Sequence, residues 1–247
     1  MGARTFVVAL ALSCAAPWAA AQETAPREVH VNAVKDPEMK SYRAIVAGMD
    51  AFEKHHARAP AVPELKFRIV SAKSWQAPLD GVTLRLAGDD DSSWPVEFGP
   101  DGVFTLERNE AAYDANADLI VNQKRSTFEI GPEVRTPGLP DNMRRLGDLR
   151  LECQVRMAII KKELPFWIVA LGVTVTRTTD WCNMFKAPKD DRPSGYRHSS
   201  PVPLAAATLT HAGRSVNIKD GKSGYTVPLG DPSWPDDAMV ELTPIAE

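Results

Sequence analysis

The side chains able to do chemistry in this 247-residue chain are scattered, and few share a telling spacing. The densest group is LGDLRLECQVRM (146–157), where Asp148, Arg150, Glu152 and Arg156 follow directly on Arg144 and Arg145. Guanidinium groups so crowded offer bidentate recognition of a carboxylate or phosphate, or else line the wet side of a strand. Alternation favours the strand. Leu149, Leu151, Cys153, Val155, Met157 and Ile159 fall on one face and the charges on the other, which predicts an antiparallel strand with one solvated face. Strand geometry leaves Arg144 and Arg145 without a duty in the preceding Pro/Gly loop (131–148), so they are the first candidates to hold an anionic group.

Other constellations are weaker. The pairs Glu107 with Glu110, Asp190 with Asp191 and Asp236 with Asp237 supply carboxylates for a glycosidase, whose acids must face one another across a cleft, a spatial fact that spacing does not give. Within DPSWPDD (231–237), Trp234 offers a stacking platform for a sugar beside Asp236 and Asp237, or packs over the end of a β-structure. Asp114, Asn116 and Asp118 have the opening spacing of a calcium loop, but Leu119 stands where glycine is needed and Arg125 where a bidentate Glu belongs. Asp89-Asp90-Asp91 reads as a hairpin tip. GKSG (221–224) lacks the first glycine of a phosphate loop and reads as a hairpin turn. His55 and His56 are adjacent on a helix and diverge by about 100°, while His30, His198 and His211 have no companion at metal-ligand spacing. No catalytic residue, cofactor or metal is therefore assigned.

The N-terminus, MGARTFVVALALSCAAPWAAAQE, has a charge, an apolar run and small residues, the pattern of a secretory leader cut after Ala21. Lipidation at Cys14 is the competing reading. The apolar run is too short to span a bilayer. Of 29 Lys and Arg, one (Arg4) lies in the leader, leaving 28 against 32 acids, a balance that argues against nucleic acid as a partner. Only Cys153 and Cys182 then remain, in a compartment that permits oxidation, and an internal disulfide is expected.

The elements that must position these groups are mostly strands. One amphipathic helix is predicted near the N-terminus, with Asp36 as N-cap, Pro37 in the first turn and an apolar stripe of Met39, Tyr42, Ile45, Val46, Met49 and Phe52 before Pro60. From Leu65 the apolar period becomes two, and short runs between polar turns continue through 65–69, 82–86, 94–98, 103–107, 117–122 and 127–130. The same grammar returns over 206–211, 215–219, 224–229 and 238–243. FWIVALGVTV (166–175), apolar throughout, is predicted as a fully buried strand.

The run GVTLRLAG…PVEFGPDGVFTL (81–106), with Asp101-Gly102-Val103-Phe104 opening a strand, resembles the carboxypeptidase-regulatory-like and transthyretin-like β-sandwich families over about residues 65–122. That resemblance implies an extracytoplasmic sandwich module with no catalytic residues. As a whole the chain also resembles uncharacterised secreted proteobacterial proteins. The expectation is a mainly β protein, an antiparallel β-sandwich built as one sheet pair or two related β units, with one N-terminal helix. Its parts are a leader (1–21), a strand and helix (22–60), a sandwich domain (61–160) and a second β unit (161–247). The expected role is binding an envelope protein or glycan in the periplasm or outside the cell, with Arg144, Arg145 and Trp234 as ligand residues and no transmembrane helix in the mature chain. A glycan-active hydrolase and a structural envelope component are the alternatives.

Overall fold

Strands dominate the computed structural model, which describes residues 34–72, 77–185 and 195–245, and every strand pair in it is antiparallel. The expected leader, Cys14, the strand start before residue 34, His30 and the Asp190-Asp191 pair lie outside those residues. In the N-terminal half, β1 (Pro37–Ser41), β6 (Asp118–Lys124), β3 (Leu84–Ala87) and β4 (Ser93–Val96) form one sheet in that order. A second sheet has the order β5 (Val103–Phe104), β2 (Lys66–Ser71), β7 (Phe128–Glu133). Leu84, Leu86, Leu119 and Val121 of the first sheet share a core with Phe67, Ile69, Phe104, Phe128 and Ile130 of the second. The turn at Gly102 has φ +77°, and a Cβ there would lie 2.3 Å from the Ile69 carbonyl oxygen, so only glycine fits.

The C-terminal half contributes β11 (Arg214–Asn217), β10 (Leu204–His211), β14 (Met239–Pro244) and β8 (Met143–Arg145) in one sheet, and β12 (Lys219–Asp220), β13 (Gly224–Val227) and β9 (Tyr196–Ser199) in another. Its core is separate, and includes Leu204, Leu209, Tyr225, Val227, Trp234 and Val240.

The N-terminal helix begins later than its capping signals suggest. Asp36 is in the left-handed region (φ 60°), residues 37–41 pair with β6, and α1 occupies Tyr42–His55. Sheet pairing claims the backbone that an Asp36 cap would have turned into helix. The apolar stripe still does its work, for Tyr42, Ile45, Met49 and Phe52 are buried. A short helix, α2 (Glu110–Asp114), is capped by the Asn109 side chain, which accepts from the Ala112 N–H at 3.0 Å.

The central correction concerns 146–163. It is a helix, α3 (Leu146–Glu163), not a strand, and the charges of its first two turns are not solvated: Asp148, Arg150 and Glu152 are 0, 7 and 6% exposed. The reason is geometric. A step of two residues turns a helix by about 200°, so two stripes at four-residue spacing on opposite faces look in sequence like alternation. Leu151, Val155 and Ile159 join the N-terminal core, whereas Leu149 and Cys153 join the C-terminal one with Leu146. The helix is thus an axle between two cores and runs through the boundary expected at residue 160. A second correction follows at 166–175, which forms helix α4 (Phe166–Thr176), and none of its residues is buried. A short uniformly apolar run is compatible with either element, and α4 begins directly after Pro165.

Cys153 on α3 is joined to Cys182, in the short helical turn Trp181–Met184 that follows α4. Among the described residues no helix is long and apolar enough to cross a membrane.

Candidate functional site: an arginine-lined cleft

Between the two groups of sheets, beside the polar side of α3, lies a cleft of about 330 Å³. Residues of β7 (Glu129, Gly131, Glu133), β2 (Arg68), β1 (Glu38, Lys40), β8 (Arg144), α3 (Glu152, Arg156), β9 (Tyr196, Arg197, His198) and β13 (Tyr225) line it. Those elements bring five cationic side chains and four carboxylates to one place.

Most of the charges are already matched. Arg68 sits against Glu133, with Nε to Oε2 at 3.2 Å and Nη2 to Oε1 at 3.3 Å, and its Nη1 donates to the Asp101 carbonyl at 2.8 Å. Arg144 donates from Nη2 to Glu152 Oε2 at 2.9 Å and to the Val134 carbonyl at 2.9 Å. Burial opposes charge on Arg144, but the carboxylate of Glu152 outweighs it, and the guanidinium pKa lies above its ordinary value. Lys40 reaches Glu163 at 3.5 Å, and the exposed Arg197 reaches Asp220 at 3.6 Å.

Arg156 differs. Its only ion pair among the described residues is with Glu152 Oε1 at 3.9 Å, too long for a hydrogen bond, and it donates no hydrogen bond to any of them. Its guanidinium lies against the backbone of Gly131, where a Cβ would come within 2.8 Å of Nη2. The Nε atoms of both Arg144 and Arg156 are buried without an acceptor among the described residues. Two guanidiniums therefore share the carboxylate of Glu152, and only that of Arg144 hydrogen-bonds to it.

An aromatic wall completes the cleft. Tyr196 meets His198 edge-on at 4.9 Å, and His198 stacks on its cross-strand partner Tyr225 at 5.2 Å with 13° between the planes. Burial, then Arg144 and Arg156, hold His198 well below the ordinary imidazole range, so it is neutral at neutral pH. Its Nε2 is also buried and unpartnered among the described residues. Burial pushes the Tyr225 hydroxyl up to about 12 and raises Tyr196 as well, so both phenols stay protonated. The site thus offers guanidinium N–H groups, a neutral imidazole and two protonated phenol rings.

The residues singled out from sequence are dispersed. Arg144 lines the cleft; Arg145, next to it on β8, does not. Trp234 lies elsewhere, 2% exposed, with the Arg214 guanidinium 3.9 Å from its ring centre. Asp236, beside it, accepts from Arg150 Nη1 at 2.5 Å, while Arg150 Nε and Nη2 donate to the carbonyls of Leu229 and Asp231, both at 2.8 Å. Arg150 thereby fastens the 229–236 loop to α3. Asp148 accepts from the Thr136 N–H at 2.7 Å and its hydroxyl at 2.8 Å, tying down the Pro/Gly loop. Asn116 Nδ2 donates to Asp89 at 3.1 Å, but no group of three or more acidic, His or Cys side chains fit to hold a metal ion occurs among the described residues. The strand reading sets Glu152 and Arg156 aside as a solvated face, and the Tyr196–His198–Tyr225 wall was not singled out. A helical reading of 146–163 would have paired Glu152 with Arg156 at i,i+4; nothing local marks the wall, because its strands meet only in the fold.

Compared with protein-family models, curated proteins and solved structures, the chain matches none.

Proposed function

We propose that this chain is an extracytoplasmic binding protein, not an enzyme, and that its cleft takes a small ligand through a carboxylate or phosphate group. The observation that carries the reading is Arg156, a cleft guanidinium with no hydrogen-bond acceptor among the described residues, beside a second guanidinium whose Nε is also unpartnered. A buried donor left unmade costs about 1–3 kcal/mol, and an entering oxyanion removes that cost. The tyrosine and histidine rings offer faces and edges to the body of the ligand, as a sugar or other ring requires. Binding is favoured over hydrolysis because Glu133 and Glu152 are each engaged by an arginine rather than left free to face one another across the cleft.

The disulfide supports an oxidising compartment, and with the leader pattern it supports the periplasm or the exterior of the cell. We further read the two N-terminal sheets around one core as a β-sandwich of the carboxypeptidase-regulatory-like kind. Calorimetric titration with inorganic phosphate, citrate and galacturonate tests the proposal. At least one should bind saturably, and Arg156→Ala should weaken it by about 10- to 100-fold, the worth of one charge-assisted contact. Saturable binding that Arg156→Ala leaves intact, or no binding by any of the three, overturns it.

A further inference from the structure

Helix α4 turns an apolar face outward, independently of the cleft. Phe166, Trp167, Ala170, Leu171, Thr174 and Val175 are exposed, Phe166 at 83% and Val175 at 74%, while Ile168, Val169, Gly172, Val173 and Thr176 are half-buried. The exposed set recurs at four-residue steps and so forms one continuous stripe. Its hydroxyls are bonded back onto the helix's own backbone: that of Thr174 donates to the Ala170 carbonyl at 2.9 Å, and that of Thr176 to the Gly172 carbonyl at 2.7 Å. The face is held rigidly. Trp181 lies on Gly172, where a Cβ would be 2.6 Å from the ring; Lys161 Nζ sits 4.8 Å from the centre of the same Trp181 ring and bonds to the Thr179 carbonyl; and Cys182 is fixed to Cys153. Contiguous apolar surface of this kind is uncommon on a water-facing protein and marks an interaction site.

The flanking charges select the occupant. Exposed Lys162 precedes the helix and exposed Arg177 ends it, and the intervening Glu163 is matched by Lys40 at 3.5 Å, so the unmatched charge at both ends is cationic. A second copy docked helix to helix would set Lys162 against Arg177 in the antiparallel arrangement, and like against like in the parallel one, so self-pairing is opposed either way. A lipid surface with anionic headgroups satisfies both features, because the apolar stripe enters the acyl boundary while the two cations reach the phosphates. At 11 residues the helix is about 16 Å long, half the thickness of a hydrocarbon core, so it lies in the interface and does not cross it. We propose that α4 docks this protein onto an anionic membrane surface as an interfacial helix.

Co-sedimentation of the purified, disulfide-bonded protein with phosphatidylglycerol vesicles and with phosphatidylcholine vesicles tests this. Partitioning should be at least about ten-fold stronger on phosphatidylglycerol. The Trp167→Ser/Leu171→Ser variant should lose it with an unchanged melting temperature, because both side chains point outward. Lys162→Glu/Arg177→Glu should lose the preference for phosphatidylglycerol, and Arg156→Ala, which disables the cleft, should change nothing. Equal binding to both vesicles, no binding to either, or full binding by the serine variant overturns the proposal. So does a dimer in sedimentation velocity that the serine variant abolishes.

Discussion

At the residue scale, the polar side of α3 separates groups that stabilise from groups that are available. Glu152 is the buried carboxylate that Arg144 hydrogen-bonds, and it also accepts from the Val134 N–H at 3.4 Å. Glu152→Gln should therefore destabilise the protein by about 3–5 kcal/mol, as removal of one member of a buried pair does, and chemical denaturation will measure it. Arg156→Ala removes a guanidinium that donates no hydrogen bond to the described residues and whose Nε is a buried donor left unmade, and should leave stability unchanged or raise it by up to about 1–3 kcal/mol. His198 gives a pH signature. Its native pKa is depressed below the ordinary 6.5, so in acid the unfolded chain binds the extra proton and the native chain does not. The stability it contributes is complete above 6.5 and is lost as pH falls toward the native value. Melting temperature should fall from pH 7 to pH 5, and His198→Gln should make that fall shallower; a steeper fall in the variant sinks the assignment.

At the element scale, the disulfide closes the excursion that carries α4. It joins residues 29 apart, and its reduction should destabilise the chain by about 3–4 kcal/mol on the loop-entropy model. The loss should be local first. Limited proteolysis of the reduced protein should cut between 164 and 181 before either core opens, because none of α4 is buried. The strands were legible in sequence because their apolar period of two coincides with one buried face: β2, β3, β6, β7, β10 and β14 stand where alternation puts them. α3 and α4 were not legible, for opposite reasons. Two cores on opposite sides gave α3 the periodicity of a strand. An outward face as apolar as the half-buried one gave α4 no periodicity in its sequence. Of the cleft, Arg144 could be singled out because it had no other explanation, whereas Arg156 was hidden by the strand reading and His198 by a partner 27 residues away in sequence across the β9–β13 ladder.

At the scale of the whole molecule, one helix serves both cores, and the cleft opens where the two halves meet beside it. Leu151 packs in the N-terminal core and Leu149 in the C-terminal one, both fully buried. Leu151→Ala and Leu149→Ala should each cost about 2–5 kcal/mol. Each should lower a single shared transition in calorimetry, since α3 cannot remain ordered with one side lost; two transitions moving separately would show the halves to be independent. The same arrangement explains why Glu152 and Arg156 line the junction: charges on the sides of α3 facing neither core have no other place to go. Whether those charges receive a ligand is the central claim, and the arginine side-chain Nε–Hε resonances report it most directly. On titration with whichever of phosphate, citrate or galacturonate binds, the Arg156 and Arg144 signals should shift saturably, with one dissociation constant equal to the calorimetric value. The signals of Arg85 and Arg125, which lie outside the cleft, should stay in place. Shifts that fail to saturate, or that appear equally on the surface arginines, would contradict the account.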